Sequence, residues 1–551
     1  MSNYVVAPMV IALFTAILTL VVRSQPRLQR SVSLLGGLGY ATAVGYLVYL
    51  VFTGPILTYQ LSNWAAPYGI VLVADKLAGF MLAMGAIVMV AALAFSVRYI
   101  DEFGQQVSYH PLFHFMLVGI TGSFLTGDIF NLFVWFEVML MPSYVFVVFY
   151  SGAKHTRAAL QYTVLNLIGS AVMLLAIGGI YATTGTLNMA DLTIRLANPE
   201  AFGIAVEPVV GLAALLFSVF ALKAGIVPFH FWVPAAYEAA PAPISAMLSG
   251  VTKKVGIYAI VRLLFTVFGA AQLDLGPFGE GSMLLFFGPI MLVMAIASML
   301  IGGYAAVGQS NVDRLLAYSS ISQVGFILLP LGIVATIPLS GGTLGTITIG
   351  ETIYSIPIGI STSQLHVLGI VATLLYSLNH AVAKSLLFLV SGTIYESVGS
   401  IDIGKLGGLA RTRPFLSGAF LLGGLSLVGI PPLLGFFGKL TVFNTASAAV
   451  VAGQDVGTIG VVAALLGAVF TIAYISKAWT DAFWGAPSPE VERATRPTAL
   501  IAIVVVVALL LVVLGAGLDP IYEGADSAAT AALDRQSYVE AVALSDAGVK
   551  P

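Results

Sequence analysis

Long apolar runs separated by short polar segments follow one another along nearly the whole chain. A helix of about 20 apolar residues can cross a bilayer, and backbone in lipid must satisfy its own hydrogen bonds, which favours helices over strands. We therefore predict an all-α polytopic membrane protein with 14 transmembrane helices. The predicted helices cover residues 4–22, 31–53, 74–97, 109–126, 128–150, 160–184, 209–232, 243–269, 283–308, 314–337, 365–391, 415–448, 457–484 and 498–518.

Two of the predicted helices are interrupted near the middle. Helix 7 contains Gly225 and Pro228, and helix 12 contains Gly429 followed by Pro431 and Pro432. Proline lacks an N–H, so each interruption frees backbone carbonyls, and matching interruptions are typical of transporters with internal repeats. We predict two inverted five-helix repeats, helices 4–8 and 9–13. The alternative is that glycine and proline are simply common in membrane helices.

The predicted units follow from this pairing. They are residues 1–108 (helices 1–3), 109–269 (first repeat), 283–484 (second repeat) and 485–551 (helix 14 and a tail). Residues 339–364 are predicted to form an extracytoplasmic loop, and residues 520–551 a short amphipathic or frayed tail. We expect no soluble domain beyond these, which argues against an ATP-driven pump.

Positive charge is distributed unevenly among the loops. Loops after even-numbered helices contain only Arg195. Loops after odd-numbered helices contain Arg23, Arg27, Arg30, Arg98, Lys154, Arg157, Arg314, Lys405, Arg411, Arg413, Arg493 and Arg496. The positive-inside rule therefore predicts cytoplasmic odd loops and extracytoplasmic termini. No Lys or Arg precedes the first apolar run, so we do not predict a removable signal peptide.

Composition agrees with a membrane protein and excludes several chemistries. The chain has 551 residues, of which 59% are hydrophobic and 9% charged, with a mean hydropathy of +1.00. A net charge of −2 provides no basic field for nucleic acid. The absence of cysteine excludes disulfides, thiolate catalysis and iron–sulfur clusters bound by this chain. We predict neither a cofactor nor a metal site.

The informative residues are ionisable groups at membrane depth, which are costly there and often functional. They are Glu137, Lys223, Lys254, Lys384 and Lys439, with His380 one helical turn before Lys384. One carboxylate cannot neutralise four lysines, so static ion pairing does not account for them. For His380, a structural hydrogen bond within the bundle is an equal alternative. We expect snorkelling or an end-of-helix ion pair for Lys253, beside Lys254 in helix 8, and for Arg262, Lys477 and Asp481, which lie nearer helix ends.

A buried lysine can carry protons. Removal from water favours the neutral amine, and a carboxylate about 4 Å away restores the ammonium, with a pair energy of roughly 4 kcal/mol at a dielectric constant of about 20. Movement of Glu137 relative to Lys223 would then switch the lysine between holding and releasing a proton. Because a row of lysines repels metal cations, protons are the expected cargo.

Six segments together resemble the antiporter-like subunits shared by Mrp-type cation/proton antiporters and respiratory complex I. They are Thr126–Tyr144, Lys223–Pro234, Thr252–Tyr258, Asp313–Gln323, Asn379–Phe388 and Pro431–Lys439. The segment around Glu137 and the chain length are most similar to the D-type branch of the Mrp family. The chain departs from the family pattern at Lys253, where we expect an uncharged residue, and in a longer 339–364 loop.

The resemblance implies the 14-helix fold with inverted repeats and a proton path. That path would run from Glu137 paired with Lys223, through Lys254 and Lys384 with His380, to Lys439 near the exit. It also implies a secondary transporter subunit in a bacterial plasma membrane, with other Mrp subunits as partners and Na⁺ carried elsewhere in the complex. Two alternatives stay open: a proton-pumping subunit of complex I or a membrane-bound hydrogenase, and a non-transporting scaffold.

Overall fold

The computed structural model describes residues 2–274, 280–338 and 361–542, and most of these are helical. The helices are α1 Ala7–Val21, α2 Pro26–Thr53, α3 Lys76–Tyr99, α4 Glu102–Gln106, α5 Tyr109–Leu125, α6 Ile129–Val147, α7 Ala153–Thr184, α8 Met189–Ala197, α9 Val206–Ala224, α10 Trp232–Ala239, α11 Ala242–Met247, α12 Lys253–Ala259, α13 Leu284–Val307, α14 Val312–Ala335, α15 Thr362–Val398, α16 Leu409–Thr412, α17 Pro414–Val428, α18 Leu434–Val451, α19 Asp455–Ala478, α20 Pro489–Glu492, α21 Thr498–Ala516, α22 Leu518–Leu533 and α23 Arg535–Val542. Two antiparallel hairpins pair β1 Leu57–Gln60 with β2 Val71–Ala74, and β3 Gln272–Asp274 with β4 Glu280–Ser282.

Eleven helices within the described ranges are long and apolar enough to cross a membrane, and α1 and α17 are shorter apolar helices. The chain is thus a multi-pass membrane protein. Both predicted helix breaks are present. α9 ends at Ala224 with Gly225 at φ +66°, and α17 ends at Val428 with Gly429 at φ +94°. A residue with a side chain rarely adopts this left-handed conformation, so glycine ends each helix there.

The predicted helix at 243–269 is present as a helical run from Ala242 to Ala270, but it is not a regular α-helix throughout. Wider π-helical turns at Leu248–Thr252 and Ile260–Val267 flank α12. Gly250 lies against α15, where an added Cβ would collide with the Ser385 hydroxyl. π-turns rotate the side chains that follow them and are frequent at functional sites. Here the first one directly precedes Lys253 and Lys254.

The described part of the tail is helical. Of the two forms predicted for residues 520–551, the structure has the amphipathic helix: α22 and α23 pack against the bundle, and residues 543–551 lie outside the described part. α22 contacts α3 and α15 through an alanine face, Ala525, Ala528, Ala529 and Ala532, each with 0% exposure. Small side chains permit this close approach. The predicted 339–364 loop also falls outside the described residues, except that Ser361 caps α15.

α14 and α15 form the centre of the bundle. In α14, 94% of the most apolar window is buried and in α15 89%, against 28% in α2 and 33% in α21. α13 lies against α14 almost backbone to backbone. A Cβ on Gly302 would collide with the Ser322 nitrogen, and one on Gly325 would lie 2.5 Å from the Ala295 oxygen. Polar side chains on α14 and α15 therefore lie far from lipid.

Candidate functional site: a row of buried lysines

The first ionisable residue of the row, Glu137, lies in α6 and contacts α7. The Ser170 hydroxyl donates a hydrogen bond to its carboxylate. Ser170 belongs to a polar stripe on α7, with Tyr162 and Asn166 each four residues apart, and all three are buried. Spacing of four residues places these groups on one helix face. That face is the inner face of a helix whose other side is largely exposed.

Lys223 lies in the last turn of α9 with 4% exposure. Its Nζ donates to Asn166 Oδ1 at 3.0 Å and lies 5.8 Å from the centroid of the Phe136 ring. The salt bridges among the described residues join Lys154 to Glu238, Arg195 to Asp191 and Arg262 to Asp75. Lys223 therefore meets Glu137 through the α7 side chains and not in a direct ion pair.

The α9 break is held open by specific hydrogen bonds. The Trp232 indole donates to the Leu222 carbonyl at 2.9 Å, and the Val227 N–H donates to Ser298 Oγ of α13 at 3.0 Å. The Trp232 ring stacks on Tyr162 with centroids 4.8 Å apart. The break is thus attached to Tyr162 of the α7 stripe and to α13, and Lys223 lies two residues before Gly225.

Lys253 does not behave as a helix-end residue. It is 1% exposed, so it neither snorkels to water nor forms an ion pair within the described part of the chain, and that prediction is wrong. Its Nζ donates to the Ser320 carbonyl of α14 at 3.2 Å. A Cβ on Gly225 would lie 3.4 Å from the same Nζ, so Lys253 reaches from α14 to the α9 break.

Lys254 and His380 contact each other. Lys254 Nζ donates to the Ser249 carbonyl at 2.6 Å and lies 2.5 Å from His380 Nδ1. Sequence spacing associates His380 with Lys384, one turn away, but the ring meets Lys254 of the neighbouring segment. Lys384 Nζ instead donates to the Leu316 carbonyl at 3.1 Å and to the Ser319 hydroxyl, both on α14.

Lys439 lies beside the second break. Its Nζ donates at 3.2 Å to the carbonyl of Val428, the last residue of α17 before the break. It also lies 4.6 Å from the centroid of the Phe326 ring of α14. Between Lys439 and Lys384, the Gln323 side chain of α14 hydrogen-bonds Tyr376, Tyr474 and Thr471. The last lysine thus meets the central helices at Phe326, three residues after the polar cluster around Gln323.

No carboxylate forms an ion pair with Lys223, Lys253, Lys254, Lys384 or Lys439 in the ranges that the structure describes. Several unpaired cations in a dry interior would be very costly. The five lysines are hydrogen-bonded mostly to carbonyl and hydroxyl oxygens, which accept from either protonation state. Such an array can pass protons while keeping each nitrogen solvated by the protein.

Comparison with known proteins places this geometry in a family. The family model of membrane subunits of NADH:quinone oxidoreductase and Mrp antiporters matches residues 126–348 and 356–471. The D-type Na⁺/H⁺ antiporter subunit of Alkalihalophilus pseudofirmus is 34% identical over 98% of this chain and 99% of its own. This chain belongs to the D-type subunits of the Mrp antiporters.

Solved structures agree on the fold. In the Mrp complex of Dietzia sp. DQ12-45-1b, one chain superposes with a TM-score of 0.81 at 28% identity, covering 98% of this chain and all of that one. A chain of an archaeal membrane-bound sulfane sulfur reductase superposes with a TM-score of 0.83 at 27% identity and the same coverage. The Mrp-type fold is therefore shared with a respiratory complex.

Other residues of this Mrp-type chain are placed by the structure as follows. Arg262 forms the expected ion pair, with Asp75. Lys477 donates to the Val307 and Gln309 carbonyls at the end of α13, and Asp481 accepts from the neighbouring Thr480 hydroxyl. No group of three or more histidine, cysteine or carboxylate residues suited to a metal ion occurs among the described residues.

Sequence reasoning missed the polar partners of the row. Asn166 and Ser170 on α7, and Ser319, Ser320 and Gln323 on α14, hold the ionisable groups or carry their acceptors. The signal was available for α7, because polar residues four apart in an apolar helix mark an inward face. For Ser320, whose carbonyl is the acceptor, the sequence offered no signal.

Proposed function

We propose that this chain is the proton-conducting subunit of a Mrp-type Na⁺/H⁺ antiporter. The observation that carries the proposal is the row itself: Glu137, Lys223, Lys254, His380, Lys384 and Lys439 lie from one helix break to the other, each hydrogen-bonded to polar groups of the bundle. Protons moving down their gradient along this row would power cation export. Since the membrane-centre ionisable groups are mostly cationic, we propose that other subunits of the complex carry Na⁺.

The topology of this chain belongs to the same proposal. We infer 14 membrane crossings in a bacterial plasma membrane. Two inverted repeats comprise predicted helices 4–8 (residues 109–269) and 9–13 (residues 283–484). Corresponding breaks in α9 and α17, each beside a buried lysine, support the repeat. The charge of the odd-numbered loops supports their cytoplasmic location and the extracytoplasmic termini. The bounds 1–108, 109–269, 283–484 and 485–551 remain a proposal.

The switch at the start of the row uses the α7 stripe. Asn166 holds the Lys223 ammonium while Ser170, one turn further, holds the Glu137 carboxylate. Release of either hydrogen bond lets the two charges approach and stabilises the ammonium. Separation weakens that attraction and favours transfer of the proton past the α9 break toward Lys253 and Lys254.

A second candidate is a proton-pumping subunit of a respiratory oxidoreductase, favoured by the structural match to the sulfane sulfur reductase complex. It would use the same row but take its energy from electron transfer. The end-to-end match to a D-type antiporter subunit makes it the weaker candidate. Purification of the native complex decides: partners with iron–sulfur or quinone sites would support the oxidoreductase, and partners without redox centres the antiporter.

Glu137→Gln is expected to lower Na⁺/H⁺ exchange by at least tenfold while the complex still assembles, because the amide cannot switch the charge of Lys223. Exchange is measured as Na⁺-dependent dissipation of a pH gradient in inside-out vesicles from cells lacking other antiporters. Glu207→Gln, at the exposed start of α9, is the matched control and is expected to retain wild-type exchange. Wild-type exchange by assembled Glu137→Gln complex would contradict the role of this carboxylate. A scaffold would instead lose assembly.

Lys253→Met provides a test that separates function from stability. Replacing an unpaired buried cation with an apolar side chain of similar length is commonly neutral or stabilising. We therefore expect an unchanged or higher melting temperature of the purified complex, together with a several-fold lower exchange rate. A lower melting temperature with unchanged exchange would show that Lys253 only supports the packing of α12 against α14.

A further inference from the structure

A cavity of about 560 Å³ opens at the end of the bundle where α15 finishes and α14 begins. We call it the acidic cavity. It is bounded by α3, the turn between α6 and α7, α10, α14 and α15, and by the sequence-based topology it faces the cytoplasm. Its ionisable and hydroxyl side chains include Asp101, Lys154, Glu238, Asp313, Ser391 and Glu396.

The charge of the acidic cavity is predominantly negative. Four carboxylates face Lys154 and His155, and the Lys154 ammonium is already paired with Glu238 at 2.8 Å. Asp101, Asp313 and Glu396 form no salt bridge within the described residues. Such an excess concentrates cations and protons at the mouth of a cavity.

Two helices lead from the acidic cavity to the lysine row. Asp313 lies three residues before Leu316, the residue whose carbonyl accepts from Lys384 Nζ, which is about 4.5 Å along α14. Ser391 lies seven residues after Lys384 on the same face of α15, about 10 Å along the axis. Lys384 is thus a member of the row that lies on the same helix as Ser391 and hydrogen-bonds the helix that carries Asp313.

Ser391 provides an independent sign that a small polar ligand belongs there. It is 1% exposed and lines the acidic cavity on the side of Asp313. Its Oγ nevertheless makes no hydrogen bond of normal geometry to any of the described residues. Buried polar atoms are nearly always satisfied, and an unsatisfied one beside a polar cavity commonly marks the position of a water molecule. The Asp313 carboxyl lies beside Ser391 Oγ, so a water bound to this hydroxyl on the cavity side would lie next to Asp313.

We propose that the acidic cavity is the port through which the lysine row exchanges protons with the aqueous phase on that side, with Asp313 as the terminal acceptor. The proposal rests on the proposed function. The Lys384 ammonium gives a proton to the first of a chain of water molecules that spans the roughly 10 Å to Ser391, and the last water, held at Ser391 Oγ, passes a proton to the Asp313 carboxylate. Lys384 becomes a neutral amine and Asp313 a carboxylic acid, which then releases the proton into the cavity.

The first test compares Asp313→Asn with Lys384→Met in the assembled complex. Each is expected to lower exchange by at least tenfold, and Glu492→Gln, an exposed carboxylate outside the cavity, is expected to leave it unchanged. If Lys384→Met stops exchange and Asp313→Asn does not, the port lies elsewhere and the proposed function stands. If neither variant changes exchange, the lysine path itself is wrong.

The second test measures water access directly and does not depend on turnover. Because the chain contains no cysteine, Ser391→Cys is the only thiol that it would carry. A membrane-impermeant thiol reagent is expected to modify Ser391→Cys from the side of the odd-numbered loops only. Tyr395→Cys, at the half-exposed mouth of the cavity, is the positive control. Modification of Tyr395→Cys without any modification of Ser391→Cys would overturn the port.

Discussion

Replacing Lys223 by methionine is expected to lower Na⁺/H⁺ exchange by at least a hundredfold while the complex still assembles. Lys223 is the ionisable group between the α7 stripe and the α9 break, so its loss disconnects Glu137 from the lysines beyond the break. Methionine has a similar length and suits a buried site, so packing around Asn166 and Phe136 is largely preserved. Vesicle exchange and co-purification of the complex measure the two quantities separately.

The matched control for this variant is Lys405→Met, the same substitution at an exposed loop position. It is expected to exchange at the wild-type rate. If Lys223→Met complex that assembles normally also reaches the wild-type rate, the row does not begin at Lys223. Lys223→Arg adds a further comparison, because a guanidinium keeps the charge but does not release its proton. It is expected to be as inactive as the methionine variant.

The second large effect concerns stability. Arg262→Met is expected to destabilise the protein by about 3–5 kcal/mol, because it leaves the Asp75 carboxylate buried without its partner. The two side chains are 1% and 0% exposed, with Arg262 Nη2 2.5 Å from Asp75 Oδ2. The guanidinium also lies 4.8 Å from the centroid of the Tyr538 ring, so α23 depends on the same group. We expect a lower melting temperature of the purified complex and poorer accumulation in the membrane.

A double-mutant cycle identifies the cause of that loss. Asp75→Asn removes the charge but keeps a side-chain oxygen for the Ala78 N–H, which Asp75 now caps at 2.9 Å at the start of α3. The double variant, Asp75→Asn with Arg262→Met, should therefore recover much of the stability lost by Arg262→Met alone. No recovery would mean that Arg262 acts through its contacts with Tyr258 and Tyr538 and not through the ion pair.

Much of the fold follows from the order of apolar runs, and the breaks follow from glycine and proline chemistry. Position within apolar runs also predicted that Lys223, Lys254, Lys384 and Lys439 lie inside the bundle, where the structure buries all four. The sequence did not predict which side chains these ionisable groups contact. His380 and Lys384 share a face of α15, but their spacing cannot show that the His380 ring contacts Lys254 Nζ of a neighbouring helix.

The burial of Lys253 was likewise not predictable from the sequence. The sequence predicted that this lysine snorkels or forms an ion pair, which requires a route to water or a carboxylate partner. The π-turn before α12 and the surrounding helices α9 and α14 enclose the Lys253 and Lys254 side chains instead. Tertiary packing of this kind is absent from the local pattern of one segment.

The close contact between α13 and α14 has a mechanical consequence. Glycines bring the backbones of the two helices into contact, so we expect α13 and α14 to move as one unit, called here the α13–α14 pair. Ser298 of α13 accepts a hydrogen bond from the Val227 N–H in the α9 break. On α14, the Ser320 carbonyl accepts from Lys253 and the Leu316 carbonyl accepts from Lys384. A single small tilt would change all three attachments together. The α9 break and two lysines, Lys253 and Lys384, are thus attached to one pair of helices, so a displacement of that pair would alter their hydrogen bonds together.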